Sequence, residues 1–466
     1  MGKREPEEIP DQEHEQLYQR VCAIDVAKDS GKVCVRTPSG TGTERRVSKV
    51  WEVEATFNAV SQLGEELVGM RVEKVTVEST SDYWRIWFYV LEAAGLEVQL
   101  VNAREVKNAP GRPKTDRLDS IWLAKLTEKG MLRPSFVPPA PVRALRDYTR
   151  MRIDLTQERT RYWSRLEKLL EDSLIKLSTV TSKMDTASGR DMIEALISGE
   201  RGPQRLAGLA RGKLKAKHAL LVEALTGRFD EHHAELARLL LDQIDALTGQ
   251  IDKLTTRIEQ LISAMPAAAT APVGDPPDQG TGADSGDGGH PTSACDRPGA
   301  SRTPRPAVER LDDIPGISTL TAQVIIAEVG LDMSRFPTAD HLVSWAKLCP
   351  RTIQSGSKNG SGKAGKGNPY LKGVLGQAAA TAARTDTFLG ERYRRIVKRR
   401  GKLKALVAVA RSILVIIWHL LANPALTYCE LGADYHSNRL DTGKKVRNHI
   451  RQLEALGFTV TLAAAA

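Results

Sequence analysis

From residue 20 to 135, short apolar runs alternate with longer stretches of helical period. Val21-Cys-Ala-Ile-Asp25 is apolar and partly β-branched, Lys32-Val-Cys-Val-Arg36 alternates apolar with polar, and residues 46–53 alternate again. Successive side chains of a strand point to opposite faces, so these runs predict three strands separated by glycine-containing turns. Residues 56–70 then carry apolar side chains at helical spacing, 75–78 reads as a fourth strand, 83–94 as a second helix and 97–101 as a fifth strand. A last helix begins near Thr115, a suitable N-cap followed by Asp116. The order βββαβαβα predicts an RNase H/RuvC-like α/β domain over 20–135, a mixed sheet with helices on its faces.

Residues 142–265 are helical in character. The apolar positions Leu240, Ile244, Leu247, Ile251, Leu254, Ile258 and Leu261 step alternately by four and three, which is a heptad seam. Two arrangements satisfy it: a coiled-coil stem that joins two protomers, or an antiparallel hairpin packed on residues 155–177 of the same chain. Residues 266–308 break the pattern, with eight of the 23 prolines, seven glycines and no aromatic, leucine or isoleucine. Such a segment cannot bury enough surface to order itself and predicts a flexible linker. Periodicity resumes over 309–462, a mainly α domain. Leu311-Asp-Asp-Ile-Pro-Gly-Ile-Ser318, followed by Ala322 and Ile325, has the form of a helix-hairpin-helix. In that motif the turn at Gly316 would aim backbone N–H groups at a DNA phosphate. The charged arm 1–19 lacks the apolar stretch of a signal peptide and predicts a disordered extension of a cytoplasmic protein.

Composition alters this picture in two respects. The five cysteines are scattered without a CxxC pair, which argues against a structural zinc site. The chain also carries a formal charge of +10, and that surplus is clustered. Residues 341–385 hold Lys347, Arg351, Lys358, Lys363, Lys366, Lys372 and Arg384 and no acid. Arg392, Arg394, Arg395, Lys398, Arg399 and Arg400, with Lys402 and Lys404, place eight basic residues in thirteen positions. Two basic clusters around a Gly/Ser/Lys loop predict contact with nucleic-acid phosphates. Aromatic residues, at 5%, are too sparse for a base-stacking single-strand binder, and no membrane span is predicted.

The acids supply the chemistry. Asp25 ends the first predicted strand and Glu78 the fourth, strands that lie side by side in an RNase H-like sheet. Asp116 and Asp119 are three apart at the start of the last helix and so share a face. Carboxylates converging there require a divalent cation, and an all-oxygen ligand set favours Mg²⁺ or Mn²⁺. Such a site supports in-line displacement at phosphorus.

The quartet, with Glu78-Ser-Thr-Ser-Asp-Tyr-Trp84 and Lys114-Thr-Asp-Arg-Leu-Asp-Ser120, resembles the DEDD-type transposases of insertion sequences. These are relatives of the Piv/MooV DNA invertases, the insertion-sequence family numbered one hundred and ten. Ile314-Pro-Gly316, Trp345-Ala-Lys-Leu-Cys-Pro-Arg351, Gln354-Ser-Gly356 and Lys366-Gly-Asn-Pro-Tyr-Leu371 agree with that family's second half, and the resemblance runs from about residue 20 to 462. It implies a transposase or site-specific recombinase acting on double-stranded DNA, the element's ends and its target. By motif match it implies Ser355 as the nucleophile of a covalent phosphoserine intermediate, with Ser357 and Ser361 as alternatives. A structured RNA encoded by the element would guide it. Recombination joins two DNA segments, so a homodimer or homotetramer is expected, in which Ser355 could meet the acids of another protomer. The competing expectation is a RuvC-like hydrolytic junction nuclease that uses the four acids and water.

Overall fold

A computed structural model describes residues 17–39, 42–79, 81–102, 116–265, 294–295, 305–350, 352–355, 358–362, 364–435 and 442–462 of the chain. Residues 1–16 of the expected arm and most of the expected linker 266–308 lie outside these. The chain divides into two units, Met1–Val137 and Pro138–Ala466.

The first unit is built on strands β1 (Val21–Val26), β2 (Ser30–Ser39), β3 (Gly42–Glu54), β4 (Lys74–Ser79) and β5 (Val98–Asn102). Its helices are α1 (Phe57–Gly69), α2 (Trp84–Ala93) and α3 (Asp116–Glu128). Sheet order is β3-β2-β1-β4-β5. The pairs β1/β2 and β2/β3 are antiparallel, whereas β1/β4 and β4/β5 are parallel, the topology of an RNase H-like sheet. Strand alternation divides the core into two layers. Cys22, Ile24 and Val26 of β1, with Val75 and Val77 of β4, pack beneath α1 and α2 around Trp87 and Leu63. The intervening side chains Val21, Ala23, Cys34 and Val101 pack beneath Leu123 and Ala124 of α3.

In the second unit, the seam of the long helix is buried inside the chain. Helices α4 (Ala140–Asp172), α5 (Leu177–Val180), α6 (Ala187–Ile197), α7 (Pro203–Gly208), α8 (His218–Ala224) and α9 (Glu231–Ser263) form its first part. Ile244, Leu247, Ile251 and Ile258 are buried, and α9 packs along α4. The antiparallel hairpin is therefore the arrangement observed, and the apolar stripe that would have formed an intermolecular stem is occupied within one protomer. Arg159 Nη1 donates to Thr248 Oγ1 across the pair at 3.2 Å.

The rest of the unit comprises α10 (Ala307–Asp312), α11 (Thr319–Val329), α12 (Ala339–Trp345), α13 (Pro369–Ala382), α14 (Phe388–Arg400), α15 (Lys402–Ala422) and α16 (Thr442–Ala455). Short strands β6 (Ala294–Cys295), β7 (Thr352–Ser355), β8 (Lys358–Ser361) and β9 (Thr427–Tyr428) complete it. Helix α15 is long and apolar enough to cross a membrane by composition. Its Ile413, Leu414, Ile417 and Leu420 are instead buried against α12, α13 and α14, so it acts as the central core helix. The sequence separated 142–265 from 309–462 as two domains. They form one unit because α4 packs on α11 through the polar cluster described below.

The Ile314-Pro-Gly316 turn has a packing role. Gly316 has φ +90°, and a Cβ built there would lie 2.2 Å from the Ala378 carbonyl oxygen of α13. The glycine lets the turn and that helix approach backbone to backbone. This differs from the phosphate contact expected of Gly316 from sequence. Gly316→Ala is expected to destabilise the protein by about 2–5 kcal/mol, combining left-handed strain with the clash. Thermal unfolding measures the effect, and a melting temperature equal to that of the unaltered chain would contradict the packing account.

Candidate active site

Parity along two strands creates the acidic face. Ile24 of β1 registers with Val77 of β4, and both point into the α1/α2 layer. Asp25 and Glu78 each follow by one residue, so both turn to the opposite face, which α3 covers. Glu78 is 6% exposed, and Asp25 is half-buried. Glu78 registers with Val101 of β5, itself part of the α3 layer.

The C-terminal half of α3 is fastened at the other end of the same strands. Thr127 Oγ1 and Gln99 Nε2 lie 2.7 and 2.6 Å from Thr76 Oγ1 on β4. Buried Glu128 pairs with Arg36 and with Arg46, the latter at 2.5 Å. Asp119, Leu123 and Thr127 recur every four residues, and Leu123 and Thr127 are fully buried. Asp119 therefore lies on the stripe of α3 that faces the sheet. It sits eight residues before Thr127, about 12 Å along the helix axis. The helix thus runs antiparallel to β4, from the end of the strand back towards its start, and its first turns carry Asp119 at the end where Asp25 and Glu78 stand. Asp116 opens the same helix; its side chain lies outside the described set.

Among the described residues, the donors on that face are carboxylate oxygens, with no thiolate or imidazole beside them. That set fits a hard cation, Mg²⁺ or Mn²⁺. A second group with ligand spacing, Asp230, His232 and His233, has its ligand atoms within 4.8 Å of one another. In it, His233 Nδ1 accepts from the Asp230 backbone N–H at 3.1 Å and completes a capping box for α9. The other ring nitrogen then carries the proton, so the cap accounts for the cluster.

Ser355 lies in the second unit. The expected Gly/Ser/Lys loop is in part a β-hairpin, with Thr352↔Ser361, Ile353↔Gly360, Gln354↔Asn359 and Ser355↔Lys358 in register. Ser355 is the last residue of β7 and pairs with Lys358, the first of β8. Arg351, Gly356, Ser357 and Lys363 lie outside the described residues, and only the backbone is described for Ser355 and Lys358. The segment that carries the hairpin is closed at its root. Lys372 Nζ donates to the Gly365 carbonyl at 2.9 Å, and a Cβ on Gly367 would lie 2.6 Å from the Ala346 carbonyl oxygen. Asn368 Oδ1 caps α13 by accepting from the N–H groups of Tyr370 and Leu371 at 3.0 and 3.2 Å.

Asn368 also ends a buried charge cluster that the sequence reading missed. Its Nδ2 donates to Glu328 Oε2 at 2.5 Å. Glu328 is completely buried and accepts a two-pronged bond from Arg150, at 2.7 and 2.9 Å, and an ion pair from Arg146 at 3.2 Å. Burial works against the Arg150 cation, but the bond and charge of Glu328 outweigh it and hold its pKa above the ordinary value. A single acid in the otherwise apolar helix Thr319–Val329 was the available signal, since buried carboxylates occur almost only with partners. Glu328→Ala leaves two arginines facing an empty apolar site and is expected to cost about 3–5 kcal/mol. Chemical denaturation of the variant checks this, and a loss below about 1 kcal/mol would show that the cluster adds little.

The basic positions fall into three groups. Lys398, Arg399 and Arg400 are exposed at the end of α14, and Lys366 is exposed beside the hairpin root. Arg394 is held by Glu391 and Asp386 at 2.9 and 3.0 Å, Lys372 by the Gly365 carbonyl, and Arg395 is half-buried. Arg392 is 8% exposed and belongs to the helix's packed face, so the eight-residue basic run divides between packing and surface. Cys22, Cys34 and Cys349 are free thiols, and burial pushes Cys34 up to about 11. Cys429 is disulfide-bonded, which the scattered cysteine pattern did not suggest.

Comparison with known proteins places this geometry in context. Residues 22–175 match a family described as Transposase, the DEDD_Tnp_IS110 type, and residues 308–394 match the Transposase IS116/IS110/IS902 family. An "Insertion element IS110 uncharacterized 43.6 kDa protein" of Streptomyces coelicolor is 34% identical over 114 residues, 24% of this chain and 28% of that protein. The "Transposase for insertion sequence element IS1111A" of Coxiella burnetii is 31% identical over 126 residues, 26% of this chain and 34% of that protein. These alignments span only about a third of the relatives' length. Two family matches in chain order, one over the acid-bearing sheet and one over the Ser355 hairpin, establish that the chain belongs to the IS110 family of transposases.

Proposed function

We propose that the chain is a transposase of an insertion sequence, a site-specific recombinase that cleaves and exchanges DNA strands through a covalent phosphoserine intermediate. The observation that carries this reading is the convergence of Asp25, Glu78 and Asp119 on one face of the RNase H-like sheet. These three, with Asp116, would hold Mg²⁺ or Mn²⁺, which when bound polarises a phosphodiester and offsets the carboxylate charge. Glu78, nearly enclosed, orients the site, and the more accessible Asp25 and Asp119 border the side from which a phosphate can enter.

Ser355 supplies the nucleophile. Its Oγ bonds to phosphorus as the bond from phosphorus to one strand's oxygen breaks, and the hydroxyl proton is passed to the departing oxygen. A strand hydroxyl from the partner duplex then attacks the phosphoserine and regenerates the serine, so each broken phosphodiester is replaced without a nucleotide cofactor. Position at the end of a hairpin strand, with the segment's root closed by Asn368 and Lys372, supports a serine presented on a fixed base. Exposed Lys366, Lys398, Arg399 and Arg400 suit backbone phosphates. A structured RNA from the element would specify sequence by base pairing while the protein grips backbones, and assembly as a dimer or tetramer would bring two duplexes together.

The reading is tested by excision of a plasmid-borne copy of the element, with its flanking non-coding stretches, in cells that express the chain. Precise rejoined junctions are expected only when those stretches are transcribed. Cleaved but never rejoined DNA would favour hydrolysis by water over strand exchange.

A further inference from the structure

The stretch 176–307 between the two family matches carries a basic concavity of its own. A surface pocket of about 330 Å³ is walled by the loop after α5, the start of α6 and the 3₁₀ turn Gly212–Lys217. Four cations line it, Lys183, Arg211, Lys213 and Lys217, and no carboxylate does. We infer that this pocket binds a backbone phosphate of a nucleic acid, a contact separate from the acid face and from the Ser355 hairpin.

Local structure fixes two of the cations and leaves two available. The Arg211 backbone N–H donates to Ser188 Oγ at 2.9 Å, and its guanidinium pairs with Asp191. Lys217 Nζ donates to the Val180 carbonyl at 3.0 Å, which anchors the amine without neutralising it. Lys183 and Lys213 are exposed and have no partner among the described residues. Thr186 accepts from the Gly189 N–H at 3.2 Å, so its O–H remains a donor at the pocket wall. Asp185 lies in the same loop but outside the pocket lining.

With Arg211 paired to Asp191, the three ammonium groups of Lys183, Lys213 and Lys217 around one concavity repel, and an anion relieves that repulsion. The volume admits a phosphodiester and excludes a helix or a folded peptide. Lys213, Lys215 and Lys217 alternate along Arg211-Gly-Lys-Leu-Lys-Ala-Lys217, so a third exposed amine continues the charge beyond the pocket. That extension suits a strand with further phosphates better than an isolated ion. RNA and DNA share this chemistry, and the experiment separates them.

The inference rests on the nucleic-acid-binding part of the function proposed above. Its test uses the full chain, the charge-removing variant Lys183→Gln/Lys213→Gln and the charge-keeping variant Lys183→Arg/Lys213→Arg. Each is titrated, across a salt series, with a labelled RNA hairpin and with a DNA duplex of matching sequence. The glutamine variant is expected to bind about ten-fold more weakly to at least one of the two, with a salt slope lower by about one, while the arginine variant keeps both values. Loss confined to one probe assigns the phosphate to that nucleic acid, and equal loss assigns both. Unchanged affinity and slope for both probes overturns the pocket while leaving the transposase reading intact. An unaltered chain that binds neither probe overturns both.

Discussion

Asp25→Ala is expected to reduce strand cleavage about a thousandfold or more. A carboxylate that helps hold the cation and shape the phosphate site is worth several kcal/mol in the transition state, and about 1.4 kcal/mol corresponds to each factor of ten. The effect should not come from unfolding, because Asp25 is half-buried at a strand end, outside the apolar layer formed by Ile24 and Val77. With Mg²⁺ or Mn²⁺ added, the unaltered chain should gain melting temperature and the variant should gain less, since a ligand that binds only the folded state stabilises by mass action. Cleavage at the normal rate, or equal thermal shifts in the two proteins, would remove the acid face from the mechanism.

Ser355→Ala is expected to abolish the covalent protein–DNA adduct altogether and to lower strand exchange by about four orders of magnitude or more, because no other group at that position can form the ester. Adduct formation is read by denaturing electrophoresis of labelled element-end DNA. The neighbours provide the internal control. Ser357 follows Ser355 by two residues and Ser361 pairs with Thr352 at the hairpin's base, and alanine at either should leave the adduct detectable. If the adduct persists in Ser355→Ala and vanishes in Ser357→Ala, the nucleophile moves two residues. If every variant still cleaves in a metal-dependent way without an adduct, water is the nucleophile.

The strand and helix order of the first unit is legible because central β1, buried on both faces, reads as a continuous apolar run, whereas β3 at the sheet edge alternates. The same parity explains why Asp25 and Glu78 could be paired in advance. The long-helix seam was equally legible as a pattern, but a heptad repeat specifies an apolar stripe without naming the helix that covers it. Here the cover is α4 of the same chain. A glycine turn before a helix suits phosphates, and nothing local in the sequence reveals that α13 also lies against Gly316. The basic run 392–404 was read as one surface, whereas helical spacing turns Arg392 and Ile396 inward and commits Arg394 to neighbouring acids. Glu328 and the Lys183 pocket escaped because their partners are distant in sequence, and only the fold brings them together.

The Glu328 cluster also constrains how members of this family can be recombined with one another. Arg146 and Arg150 belong to the first family match, whereas Glu328 and Asn368 belong to the second. The sequence modules therefore meet inside one structural unit, and the seam between them is a completely buried carboxylate with two guanidinium groups. A chimaera that takes one module from this chain and the other from a relative must carry matching charges at that point, or it buries an uncompensated ion. Compatibility of donor modules would then be decided by four side chains that take no part in the acidic face, whichever DNA each module acts on.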